Sequence, residues 1–119
     1  MSDLTARLAS AVDGLLYPSE SDEPFEVIDR PLAKGQTVRQ AAHGWFESKS
    51  PVIEQPVDEF FAALEGSDDE ARFAALRELL EAGLTDLSVF RVGEVQVEVF
   101  LLGRAGDRLI GLKTLSVET

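Results

Sequence analysis

Between Val89 and Val117 the spacing of apolar residues changes from helical to alternating, and this change restricts the chain more than any other feature. Val89-Phe90-Arg91-Val92 runs to Gly93; Val95, Val97, Val99 and Leu101 then alternate with Gln96, Glu98 and Phe100. A period of two is the signature of a strand with two unlike faces. Arg104-Ala105-Gly106-Asp107 supplies the turn, and Leu109 through Val117 returns as an antiparallel partner. A sheet of this kind must bury an apolar face, and helices elsewhere in the chain have to cover it.

Those helices are legible upstream. Leu4, Leu8, Ala11, Val12, Leu15 and Leu16 recur at helical spacing, with Ser2 or Asp3 as cap, Gly14 at the end and Pro18 as a stop. Pro18-Ser19-Glu20-Ser21-Asp22-Glu23-Pro24 is polar, acidic and bounded by prolines, which predicts a constrained surface loop. Phe25 to Asp29 reads as a short strand ended by Pro31. Thr37 can cap a helix through Val38, Ala41, Ala42, Trp45 and Phe46, and Pro51 to Ile53 is extended or a short strand. Pro56 opens a short helix through Phe60, Phe61 and Leu64. Ser67-Asp68-Asp69-Glu70 has capping-box spacing and opens a helix carrying Phe73, Leu76, Leu79 and Leu80, closed by Gly83. The sum is one α+β domain over residues 1–119, with about four strands and about four helices.

Charge narrows the function. Twenty-two acidic side chains face eleven Lys and Arg, a formal net charge of −11. Such a field repels nucleic acid and anionic membrane surfaces, and it speeds encounter with a basic protein. Cysteine is absent, so neither disulfides nor thiolate metal sites are available. Met1 to Thr5 lacks the basic start and apolar run of a signal peptide, and no apolar stretch approaches the ~20 residues that span a bilayer. The expectation is a soluble, cytoplasmic protein that is a monomer until it meets its partner.

Catalysis fits poorly. His43 is the single histidine and precedes Gly44, Trp45 and Phe46, which favours a helix-end or partly buried role. Trp45 reads as core. No nucleophile elbow or glycine-rich phosphate loop is present, and Lys34-Gly35 lacks the spacing of one. Asp68, Asp69 and Glu70 are explained by the helix start they occupy. No cofactor of its own is expected.

Two segments nevertheless carry a specific pattern. Asp13-Gly14-Leu15-Leu16-Tyr17-Pro18-Ser19-Glu20-Ser21-Asp22-Glu23-Pro24-Phe25-Glu26-Val27 resembles the nuclease A inhibitor family's D-G-L-L, aromatic, S-E-S, acidic stretch and P-F-E-V. Val89-Phe90-Arg91-Val92-Gly93-Glu94-Val95 and the closing Val117-Glu118-Thr119 are similar to its aromatic-R-L-G-E-V strand and terminal V-E-T. The resemblance implies a three-layer α/β/α sandwich around a central antiparallel sheet. It also implies inhibition of a non-specific, metal-dependent DNA/RNA endonuclease of the ββα-metal class. Glu20 would then take the place of the scissile phosphate among the nuclease's arginines, through charge-assisted hydrogen bonds. The Thr119 hydroxyl would reach the nuclease's catalytic magnesium, a hard ion that takes oxygen ligands. Ser19 and Ser21 would shape the loop, and Asp22 and Glu23 would steer the encounter.

One departure stands out. The family carries a second contact, an aspartate and a tryptophan, in a longer loop before the capping-box helix. Here Glu65-Gly66-Ser67-Asp68 is shorter and has no tryptophan, so only the acids Asp68 and Asp69 remain. An acidic interaction module of the same fold, bound to a different basic partner, is the alternative this departure keeps open.

Overall fold

The computed structural model describes residues 3–19, 21–46 and 52–117, without the side chains of Trp45 and Phe46. The order is α1 (Asp3–Val12), β1 (Leu16–Tyr17), β2 (Glu23–Pro24), β3 (Glu26–Pro31), α2 (Val38–Phe46), β4 (Val52–Gln55), α3 (Val57–Ala62), α4 (Glu70–Gly83), β5 (Thr85–Val92), β6 (Gln96–Ala105) and β7 (Arg108–Val117). Five strands form one antiparallel sheet in the order β3-β7-β6-β5-β4, and β1 and β2 form a separate two-stranded ribbon. The α+β class and the four helices agree with the sequence. The described strands exceed the expected four because β1, β2 and β4 are too short to show a period.

Alternation along β5, β6 and β7 sends successive side chains to opposite faces, and the buried residues accordingly divide into two clusters. Val89, Val97, Val99, Leu101, Ile110 and Leu112 pack with Leu8 and Val12 of α1, Phe60 and Phe61 of α3, and Phe73, Leu76 and Leu80 of α4. Phe90, Phe100, Leu102 and Leu109 pack with Val38 and Ala42 of α2. Completely buried side chains such as Leu101 and Ile110 each stabilise the fold by roughly 1.5–3 kcal/mol relative to exposure. The β6–β7 hairpin closes through Gly106 and Asp107; only Gly106 has positive φ (+63°), as a type II′ turn requires at its first central position.

Three sequence expectations change. The first helix stops at Val12, so Leu15 is buried beyond it and Leu16 lies in β1, 42% exposed. Gly14, at φ +73°, turns the chain out of the helix. The Ser67–Glu70 capping box does not form: α4 begins at Glu70, the Ser67 hydroxyl donates to the Leu64 carbonyl, and Glu70 accepts from the Gly66 N–H. The reciprocal box sits instead at α2, where Gln40 N–H donates to Thr37 Oγ1 and Thr37 N–H to Gln40 Oε1, both at 3.0 Å. Finally, β5 starts at Thr85 and not Val89, because a register shift between Thr85 and Ser88 hides the alternation.

Candidate functional site

The acidic loop is the tip of the β1–β2 ribbon. Leu16 pairs with Pro24 and Tyr17 with Glu23, a ladder too short to hold itself. Aromatic side chains anchor it from below: Tyr17 stacks on Phe60 with centroids 5.7 Å apart, and Phe25 meets Tyr17 edge-on at 6.2 Å. Side-chain hydrogen bonds hold it from the side. Buried Thr114, on β7, donates through Oγ1 to the Pro24 carbonyl at 3.0 Å.

Above that point β7 loses its strand neighbour on one flank. The β3–β7 ladder ends at Glu26 opposite Lys113, while β6 follows β7 to Val117. On the vacated flank the acidic loop takes over. The Val117 N–H donates to Ser19 Oγ at 3.2 Å, and that same hydroxyl donates to the Ser21 carbonyl at 2.6 Å. Ser21 Oγ in turn donates to a Glu23 carboxylate oxygen at 2.6 Å. Ser19, Ser21, Glu23 and the end of the last strand are thereby brought together. Asp22 is exposed beside them. Glu20 and Thr119, the two residues with the most specific expected roles, lie outside the described residues.

The second acidic segment faces the first. Asp22 from the loop and Asp68 and Asp69 from the approach to α4 line one shallow concavity of about 190 Å³, with Leu16, Pro18 and Phe73 as its apolar part. Among the described residues, the ion pairs join Arg39 to Glu54, Arg77 to Asp58 and Glu81, Arg108 to Asp29, and Lys113 to Glu98. None of these involves Asp22, Glu23, Asp68 or Asp69. These four cations pair with acids of the scaffold and not with the acids around the loop.

The model of nuclease A inhibitor-like proteins matches residues 2–119, nearly the whole chain. The chain belongs to this family. Among curated proteins, none matches significantly. A nuclease A inhibitor-like protein is a non-enzymatic inhibitor, so nuclease inhibition by binding is the function at the level the family defines. Its partner, at the same level, is a nuclease.

Other candidates separate from this site. His43 lies in the last turn of α2, exposed, with its ring edge-on to Phe90 at 5.9 Å; the helix-end expectation holds and partial burial does not. The side chain of Trp45, read as core, is outside the described residues. In this inhibitor-like chain the 65–69 segment is a turn closed by Ser67 Oγ, which donates to the Leu64 carbonyl, and by the Gly66 N–H, which donates to Glu70.

Sequence reasoning missed two polar groups. Thr114 and Ser116 occupy the inward face that Ile110 and Leu112 begin, and both are buried. Polar residues at core positions of an alternating strand were the available signal, since such groups need partners. Asp29 does more than continue a strand. It accepts from Thr5 Oγ1 and from Arg108 Nε, each at 2.7 Å, and so ties α1 to β3 and β7. The Thr5 hydroxyl, followed by the Arg108 guanidinium, holds its carboxyl below the usual carboxylate range against the opposing effect of partial burial.

Proposed function

We propose that the chain inhibits a sugar-non-specific nuclease of the ββα-metal class, binding as a monomer in a one-to-one complex. Glu20 acts as the phosphate mimic: a carboxylate offers arginine side chains the forked, charge-assisted acceptor geometry of a phosphate. The Thr119 hydroxyl reaches the magnesium, which belongs to the nuclease. Ser19 and Ser21 shape the loop, Asp22 and Glu23 accelerate encounter, and Asp68 and Asp69 form a reduced second contact. One observation carries this proposal. The Val117 N–H bonded to Ser19 Oγ joins the acidic loop to the end of the final strand; in sequence Glu20 follows Ser19, and Thr119 stands two positions after Val117. A three-layer α/β/α sandwich belongs to the same proposal, supported by the two core clusters and the different helices each contains.

The test is digestion of double-stranded DNA and of RNA by a ββα-metal nuclease in excess magnesium. Wild type is expected to block both substrates, and Glu20→Ala and a chain ending at Glu118 to lose most of that block. Full inhibition by Glu20→Ala would remove the phosphate-mimic role.

A second reading is supported by the closed 65–69 turn, which has no aromatic anchor of the kind that often dominates binding energy. In it the same acidic surface serves another basic protein. Absence of inhibition by wild type, together with stable capture of a non-nuclease partner that Glu20→Ala abolishes, would favour it.

A further inference from the structure

We infer that Ser19 is a positioning residue that locks the acidic loop to the end of β7, so that both segments meet the partner as one preformed unit; this rests on the inhibitory function proposed above. The geometry assigns two simultaneous tasks to one hydroxyl. Its oxygen accepts from the Val117 N–H on the flank of β7 that β3 has left, and its proton goes to the Ser21 carbonyl, two residues further along the loop. A group must be both donor and acceptor on a one-carbon arm to do this. Serine and threonine qualify, alanine supplies neither function, and an aspartate accepts without donating.

The position matters because β7 is fixed along its other flank by β6 as far as Val117. The loop therefore takes its placement from the most extensive ladder of the sheet, through a side chain and not through strand pairing. Thr114 fastens the returning arm at Pro24, three residues earlier on β7. The two hydroxyls bracket the ribbon tip. Ordering a loop before binding removes an entropic cost from the complex and slows dissociation. Ser19 acts in this way without having to touch the partner.

The experiment compares wild type, Ser19→Ala and Ser19→Thr in two measurements. One is amide hydrogen exchange across the chain, and the other is the dissociation rate of the complex with a ββα-metal nuclease. Ser19→Ala is expected to exchange the Val117 amide and dissociate about tenfold faster, with Leu101 and Ile110 exchange unchanged. Ser19→Thr is expected to restore both. Wild-type exchange at Val117 in Ser19→Ala overturns the lock. Faster exchange with an unaltered dissociation rate overturns the positioning role. A wild type that inhibits no such nuclease removes the proposed function instead, and Val117 exchange then still decides whether the lock exists.

Discussion

The β6–β7 pair and the β1–β2 ribbon are built on opposite principles. The first is a ladder of ten residue pairs, from Gln96–Val117 to Ala105–Arg108, with Leu101, Leu102, Ile110 and Leu112 fully buried. The second has two pairs and relies on Tyr17, Phe25, Thr114 and Ser19 to hold it. Backbone pairing and apolar burial make the ladder insensitive to any one polar contact. The ribbon's shape, in contrast, rests on a few side-chain hydrogen bonds. Stability is therefore concentrated in the ladder, and the geometry proposed to face the nuclease is concentrated in the ribbon.

Substitutions in the two regions should separate these properties. The largest effect is expected from Gly111→Ala, because a Cβ there would lie 1.8 Å from the Leu101 carbonyl oxygen. The sheet would have to shift, at a cost of about 3 kcal/mol or more, measurable by urea unfolding. Near-normal stability would mean that the ladder is more yielding than described. Thr114→Val keeps shape but leaves the Pro24 carbonyl without its donor, costing roughly 1–2 kcal/mol. Inhibition should fall further than stability alone explains; an equal fall in both would erase the contrast between the regions.

Asp29 lies between these extremes, tied to α1 and β7. Its carboxyl is held below the ordinary value of about 3.9, so the stability it adds is complete above that value. That contribution is lost as pH falls through the lower folded value. Asp29→Asn should therefore be less stable than wild type at neutral pH and converge towards it below about pH 4. A constant difference across that range would show that the loss is packing. The smallest effect is expected at Arg39, whose ion pair with Glu54 is exposed and remote from the ribbon. Arg39→Ala should leave the unfolding midpoint and nuclease inhibition unresolved from wild type.

The same contrast governs what the sequence revealed. Strands β6 and β7 were legible because Val97, Val99 and Leu101 alternate with polar or oppositely facing residues over a long run. The acidic loop was legible from its bounding prolines and its resemblance to the family. The ribbon beneath it was not, since two-residue strands carry no periodicity. Capping-box spacing occurs at Ser67–Glu70, yet Thr37 and Gln40 form the box: spacing gives the possibility, and only the local path of the chain decides. No pattern in sequence could pair Ser19 with Val117, 98 positions apart. That contact follows from where β3 ends, which tertiary packing sets.

Hydrogen–deuterium exchange of the chain with and without a ββα-metal nuclease tests the central claim most directly. Binding is predicted to protect the β1–β2 ribbon with its acidic loop, the 114–117 end of β7 and, more weakly, the start of α4. The β4 edge and α2 should exchange as in the free protein. Protection centred on α2 and β4, or none at all, would contradict the assignment of the acidic loop and strand end as the inhibitory surface.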